Sequence, residues 1–204
     1  MVRLNPFEAI AEISAKKRKA QAFMELHGIP LSEVEASIGK LPEKFRFPVR
    51  QLYSSRNEDA KDAMRMIADS LSEENRSSEH ASALFKHTGR FIERIWRNRK
   101  TTENLYELLK EGIKLSDRLH SRFGVNPRHA SLLLDIAATP GLDDVHRLAA
   151  VKAVTTHAES NYDLQVLMQT RRIAHDSEAK TNALIARELD QAYNKITRTR
   201  PSIK

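Results

Sequence analysis

Lysine and arginine side chains are concentrated between Lys86 and Lys100. Their types and spacing suit the binding of phosphate groups. Six cations stand there against one acid, Glu93. On a helix, spacings of three and four residues place three of the arginines along one face. Guanidinium groups present forked N–H donors that match phosphate oxygens. We therefore predict nucleic-acid contacts from Arg90, Arg94, Arg97, Arg99 and Lys100.

The same segment has a simpler interpretation. Phe91, Ile92, Ile95 and Trp96 would anchor the opposite face of the helix in a core. The basic side chains would then lie over that core with their charged ends in water. The sequence favours this solvated face over phosphate contact, and both interpretations stay open.

Two further basic groups lie near the ends of the chain. Lys16 to Lys19 are four consecutive cations, which fan out around a helix, so a solvated helix segment is the favoured interpretation and a nucleic-acid contact the alternative. Arg198 and Arg200 belong to a C-terminal tail without acids. This tail either wraps a phosphate backbone or is only a soluble end, and Arg198 and Arg200 join the predicted nucleic-acid-binding residues.

The segment from Leu115 to Leu133 has the features of a helix-turn-helix. Gly124 stands at the turn between two apolar stripes, and the second helix would present Arg128, with His129 and Ser131, to base edges. Two departures count against DNA reading: His120 occupies a position that usually needs a small residue, and Ala130 replaces the usual branched apolar residue. The second helix is also rich in leucine, as a buried helix is. An ordinary corner between two helices is favoured.

Several chemistries are excluded by composition. The chain has no cysteine, so it has no disulfide, thiolate nucleophile or sulfur-ligated metal. No two of its six glycines lie closer than 11 positions apart, which excludes the glycine-rich loops that hold nucleotide phosphates. The eight histidines form no metal-binding motif, and no serine stands in a nucleophile elbow. We expect no metal, no cofactor and no enzymatic activity.

The helix signals run through the whole chain and predict an all-α fold, a multi-helix array of about eight or nine helices with no sheet. Apolar residues recur at spacings of three and four, and no stretch alternates with a period of two. Asn126-Pro127 predicts one helix start and either Asp143 or Asp144 another, and Gly28 and Gly124 predict helix ends. Pro48 is expected to kink or end the helix around it.

The last helix offers a second class of function. Ile185, Leu189, Ala192 and Ile196 repeat with heptad-like spacing and would pack on their own domain or form a homodimer seam. We predict an N-terminal basic helical region over 1–100 and a C-terminal helical region over 101–204, with a single compact domain nearly as well supported.

The net charge of the chain favours nucleic acid as its partner. Its net charge of +7 attracts phosphate polymers. We expect a helical nucleic-acid-binding or regulatory protein, and the alternative is a protein-protein interaction module, an adaptor or an effector. No signal peptide or apolar span of membrane length is evident, so we expect a cytoplasmic protein with no membrane partner. The two functional predictions differ in whether the basic side chains converge on one surface or are interspersed with acids.

Overall fold

The computed structural model describes residues 6–54, 56–73, 79–100, 102, 104–139, 142–158 and 180–198. This part of the chain holds nine α-helices, one 3-10 turn and no strand, which confirms the all-α prediction. The helices are α1 Pro6–His27, α2 Leu31–Gly39, α3 Glu43–Gln51, α4 Asn57–Ser70, α5 Ala81–Arg97, α6 Leu105–Phe123, α7 Pro127–Ala138, α8 Asp144–Thr155 and α9 Lys180–Arg198; the 3-10 turn is Leu71–Glu73.

The local signals that begin and end helices act as predicted. The Asn126 side chain accepts a hydrogen bond from the His129 backbone N–H at the start of α7, and Asp143 does the same for Val145 at the start of α8. Gly28 and Gly124 follow α1 and α6 with φ of 69° and 84°, the left-handed region that glycine enters without strain.

Helix α3 does not end at Pro48, which was one of the two outcomes expected for this residue, and a kink there stays a prediction. The helix passes through this proline and continues to Gln51. Pro48 is buried, together with Phe45 and Val49. Burial of this apolar face in the core offsets the hydrogen bond that the proline ring removes.

One cluster of buried apolar residues joins the helices into a single core. Helices α4 and α5 both pack on α6, and α7 and α9 both pack on α8. Gly112 of α6 allows a close approach to α5, because a Cβ there would lie 3.1 Å from Cγ1 of Ile92. The division into residues 1–100 and 101–204 stays a prediction.

Helix α9 turns its apolar stripe inward. Ile185, Leu189, Ala192 and Ile196 are all buried, and Lys152 of α8 lies 3.9 Å from Glu188 beside the stripe. The face predicted as a homodimer seam therefore belongs to the protein's own core. Among the helices of the described residues, none has the length and apolarity that a membrane crossing requires.

Candidate nucleic-acid interface

Helix α5 and the turn that follows it carry most of the predicted phosphate contacts, and the basic face of the helix lies toward other helices of the same chain. Its apolar side buries Leu84, Ile92 and Ile95 in the core. The opposite side meets the end of α1, the start of α2 and the end of α3. The positions of the individual cations decide how much of this face is free.

Lys86 and Arg90 both bind one carboxylate on α2. Arg90 Nη2 donates to Oε1 of Glu33 at 3.0 Å, and Lys86 Nζ donates to the same oxygen at 3.4 Å. The hydrogen bonds from Arg90 and then Lys86 hold the pKa of Glu33 below its usual range. These two cations are therefore neutralised in part by an acid that the helix sequence does not contain.

Arg94 is a structural residue. Its Nη1 donates to Nδ1 of His27 at 3.0 Å, and its Nη2 donates to the Leu52 carbonyl at 3.1 Å. Burial lowers the pKa of the Arg94 guanidinium. Burial also lowers the pKa of His27 to about 4, and the charge of Arg94 acts in the same direction. Arg94 thus joins α1 and the end of α3 to α5, and its donors are directed into the protein.

A buried polar network continues from these contacts. The Tyr53 hydroxyl lies 2.7 Å from Nδ1 of His87, and the Ser37 hydroxyl lies 3.0 Å from the other ring nitrogen. Burial raises the pKa of Tyr53 to about 12 and lowers the pKa of His87 to about 4. Both rings are therefore neutral at neutral pH, and they connect α2, α3 and α5.

The cations at the end of α5 and in the turn after it remain on the surface. Arg97 forms an ion pair with Glu93, one turn earlier on the helix. The Arg99 guanidinium lies 5.1 Å from the centre of the Trp96 ring. Lys100 is exposed. Of the five cations predicted on this segment, only Arg99 and Lys100 are exposed without a carboxylate partner among the described residues.

The segment with helix-turn-helix features is a corner between two packed helices. His120 is buried, and its Nδ1 donates to the Ala153 carbonyl of α8 at 2.8 Å. His129 is also buried, with its Nε2 2.7 Å from Oγ of Ser116. It cannot reach a base edge from that position, which corrects its prediction as a reader. Arg128 is exposed.

Most of the C-terminal tail lies outside the described residues. Arg198 is the last residue of α9, and its side chain lies outside the described residues. Arg200 lies outside the described residues altogether. Both stay predictions.

Helix α1 is the basic element whose exposure the sequence did not reveal. Every residue from 14 to 22 is exposed. Near its C-terminal end, the Phe23 and His27 rings lie 5.8 and 5.2 Å from the Tyr53 ring. Between Ser14 and Met24 there are four cations and no acid. We call residues 14–22 the basic arm. The charge run was visible in the sequence, but the absence of a packed face around it was not.

A cavity of about 520 Å³ opens between α5 and α7. The two helices meet at Gly89, where a Cβ would lie 3.2 Å from Nδ1 of His129. Burial, assisted by the neighbouring His120, lowers the pKa of His129 to about 3, so its ring is neutral. The charged side chains that line the cavity are Lys86, Arg90, Glu93, Arg128 and Asp135.

No group of three or more histidine and acidic side chains in the described residues is arranged to hold a metal ion. Comparisons with protein-family models, with curated proteins and with solved structures found no match for this chain.

Proposed function

We propose that this protein binds nucleic acid and that the basic arm is the segment that contacts the phosphates. One observation carries the proposal: residues 14–22 form a helix that is exposed on all sides, with four cations and no acid. An isolated helix gains no stability from packing and is marginal in water. The arm therefore suits a partner that supplies both a surface and a negative charge.

The geometry of the arm fits a nucleic-acid groove. Lys16, Lys17, Arg18 and Lys19 fan out around the helix, because successive side chains are about 100° apart. A helix placed in the major groove has phosphates on both sides, so cations that point in different directions can reach both strands. The fan-shaped arrangement that argues against a single basic stripe is an advantage there.

The rest of the protein provides a contrast to the arm. Many cations of the folded body have a carboxylate partner, as in the pairs Arg50–Glu35, Lys61–Glu107, Lys114–Glu111 and Arg118–Asp69. In contrast, the arm places four consecutive exposed cations in a stretch of sequence that contains no acid.

The α5 face supports the alternative function instead. Acids are interspersed with its cations, as Glu33 beside Arg90 and Glu93 beside Arg97 show. A face of mixed charge suits a protein partner better than a phosphate backbone. Tyr106 and Val145, which are 50% and 71% exposed at the starts of α6 and α8, add apolar surface to that alternative.

Fluorescence anisotropy with labelled duplex DNA and single-stranded RNA tests the proposal at several salt concentrations. The test variant is Lys17→Ala/Arg18→Ala/Lys19→Ala. The control is Lys40→Ala/Arg56→Ala/Lys110→Ala, which removes three exposed cations elsewhere and makes the same change in net charge.

We expect the wild-type protein to bind with an affinity that falls steeply with salt. The arm variant should lower the salt slope by about 2 to 3 on duplex DNA, since each phosphate contact contributes about 0.9. The control variant should lower it much less. No binding at about 50 mM salt would exclude the nucleic-acid function. Equal losses in the two variants would show that net charge, and not the arm, drives binding.

A further inference from the structure

The cavity between α5 and α7 is separate from the basic arm and has the dimensions of a small-molecule site. Its volume of about 520 Å³ lies within the range of about 300 to 1,000 Å³ that is typical of ligand pockets. Rigid helices form its walls: α5 supplies one side, and the first turns of α7 supply the other.

Positive side chains from both walls converge on this cavity. Lys86 and Arg90 come from α5, and Arg128 comes from the first turn of α7. Glu33, which binds Lys86 and Arg90, is not among the residues that line the cavity. Glu93 lines it but is paired with Arg97. Arg128 is exposed and forms no hydrogen bond or ion pair with the described residues, so its forked donors are available to an anion.

The remaining acid of the lining is Asp135. Its side chain is exposed, and partial burial of its carboxyl raises its pKa. Phe85 and Leu132 contribute apolar surface to the same lining. The lining of the cavity therefore combines cations, apolar surface and a carboxylate that can accept a hydrogen bond.

We propose that this cavity binds a small phosphate ester, with Lys86, Arg90 and Arg128 at the phosphate and Asp135 accepting a hydrogen bond from a hydroxyl or amino group on the rest of the molecule. A phosphate group carries close to two negative charges at neutral pH and offers three oxygens. Arg128 matches it with a forked pair of donors, and Arg90 and Lys86, which also bind Glu33, add further charge-assisted donors. A mononucleotide is a ligand of this class with suitable size.

Isothermal titration calorimetry on the full chain tests the site, with adenosine monophosphate and inorganic phosphate as probes. We expect the nucleotide to bind with a dissociation constant below about 1 mM, and phosphate alone to bind more weakly because it leaves the apolar wall and Asp135 unused. Arg128→Ala should weaken nucleotide binding about tenfold, since it removes charge-assisted hydrogen bonds. Asp135→Leu should weaken nucleotide binding more than phosphate binding, because it removes the acceptor for the rest of the molecule.

Arg56→Ala is the matched control, because it removes an exposed arginine outside the cavity. It should leave nucleotide affinity unchanged. Thermal unfolding of Arg128→Ala should match that of the wild type, because the side chain forms no hydrogen bond within the described fold. The absence of binding by both probes at about 10 mM would overturn the proposal. Equal affinities for the wild type and Arg128→Ala would also overturn it.

The arm variant Lys17→Ala/Arg18→Ala/Lys19→Ala keeps this test independent of the nucleic-acid proposal. It leaves the cavity lining intact and should bind the nucleotide as the wild type does. A protein that binds neither DNA nor RNA can still bind the small ligand. A nucleotide affinity that falls with the arm variant would place the binding outside the cavity and overturn the assignment.

Discussion

The guanidinium of Arg94 donates a hydrogen bond to Nδ1 of His27 over 3.0 Å. This contact attaches the last turn of α1 to α5. The same guanidinium donates to the Leu52 carbonyl at 3.1 Å. One side chain therefore holds α1 and the end of α3 against α5. A residue that looks like a phosphate ligand in the sequence is a connector in the fold.

We predict that Arg94→Ala lowers the free energy of unfolding by about 2 kcal/mol. The variant leaves the Leu52 carbonyl and the His27 ring without their charged donor, and the loss of such a hydrogen bond costs about 1.5 to 3 kcal/mol. Urea unfolding followed by circular dichroism measures the change. Arg56→Ala, at an exposed position, should stay within about 0.5 kcal/mol of the wild type. Equal stabilities for both variants would show that Arg94 has no such role.

Buried neutral histidines predict a loss of stability in acid. The pKa values of His87 and His129 are lowered to about 4 and about 3, against an ordinary value of 6.5. Between pH 6.5 and pH 4 the unfolded chain takes up these protons and the folded protein does not. The free energy of unfolding is therefore at its full value above pH 6.5 and falls as the pH decreases, by about 1.4 kcal/mol per pH unit for each histidine.

The variant His87→Gln tests the contribution of one ring, because its amide retains a donor and an acceptor for Tyr53 and Ser37. Urea unfolding at pH 7, 6 and 5 should give a slope smaller than that of the wild type by about 1 kcal/mol per pH unit. A slope that does not change would mean that His87 has the same pKa in the folded and the unfolded protein.

The architecture was predictable because its signals are local. Asn126-Pro127 begins α7, and Gly28 and Gly124 end α1 and α6, each through backbone groups within one helical turn. The course of α3 through Pro48 was not predictable, since it depends on burial against distant helices.

The candidate sites could be predicted only in part, because the partners of the charged groups are distant in sequence. Glu33 lies 57 positions before Arg90, and His27 lies 67 positions before Arg94. A cluster of charges in sequence shows how much charge a helix carries but not which neighbours neutralise it. The cavity brings Arg128 to Lys86 and Arg90 across the α5–α7 contact, which no local pattern indicates.

We predict that Gly124→Ala destabilises the protein by about 1 kcal/mol, because a φ of 84° strains a residue that has a Cβ. Gly39→Ala is the matched control: Gly39 lies in α2 without a positive φ, and its added Cβ would meet nothing within 4 Å. Alanine there should be neutral or stabilise the protein by up to about 1 kcal/mol. Thermal and urea unfolding compare the two variants. Similar losses at both positions would argue against backbone strain at Gly124.

Finally, Leu189→Asp should unfold the protein or destabilise it by more than about 3 kcal/mol, because it places a carboxylate in the core between α9 and α8. Leu189 is 1% exposed, whereas Leu184, five residues earlier on the same helix, is 51% exposed. Leu184→Asp is therefore the control and should change the stability by less than about 0.5 kcal/mol.

If the stripe were a homodimer seam, the stability of the wild type would rise with protein concentration. Leu189→Asp would then give a folded monomer in analytical ultracentrifugation. Because α9 packs on α8 of the same chain, we expect neither a stability that rises with protein concentration nor a folded Leu189→Asp monomer.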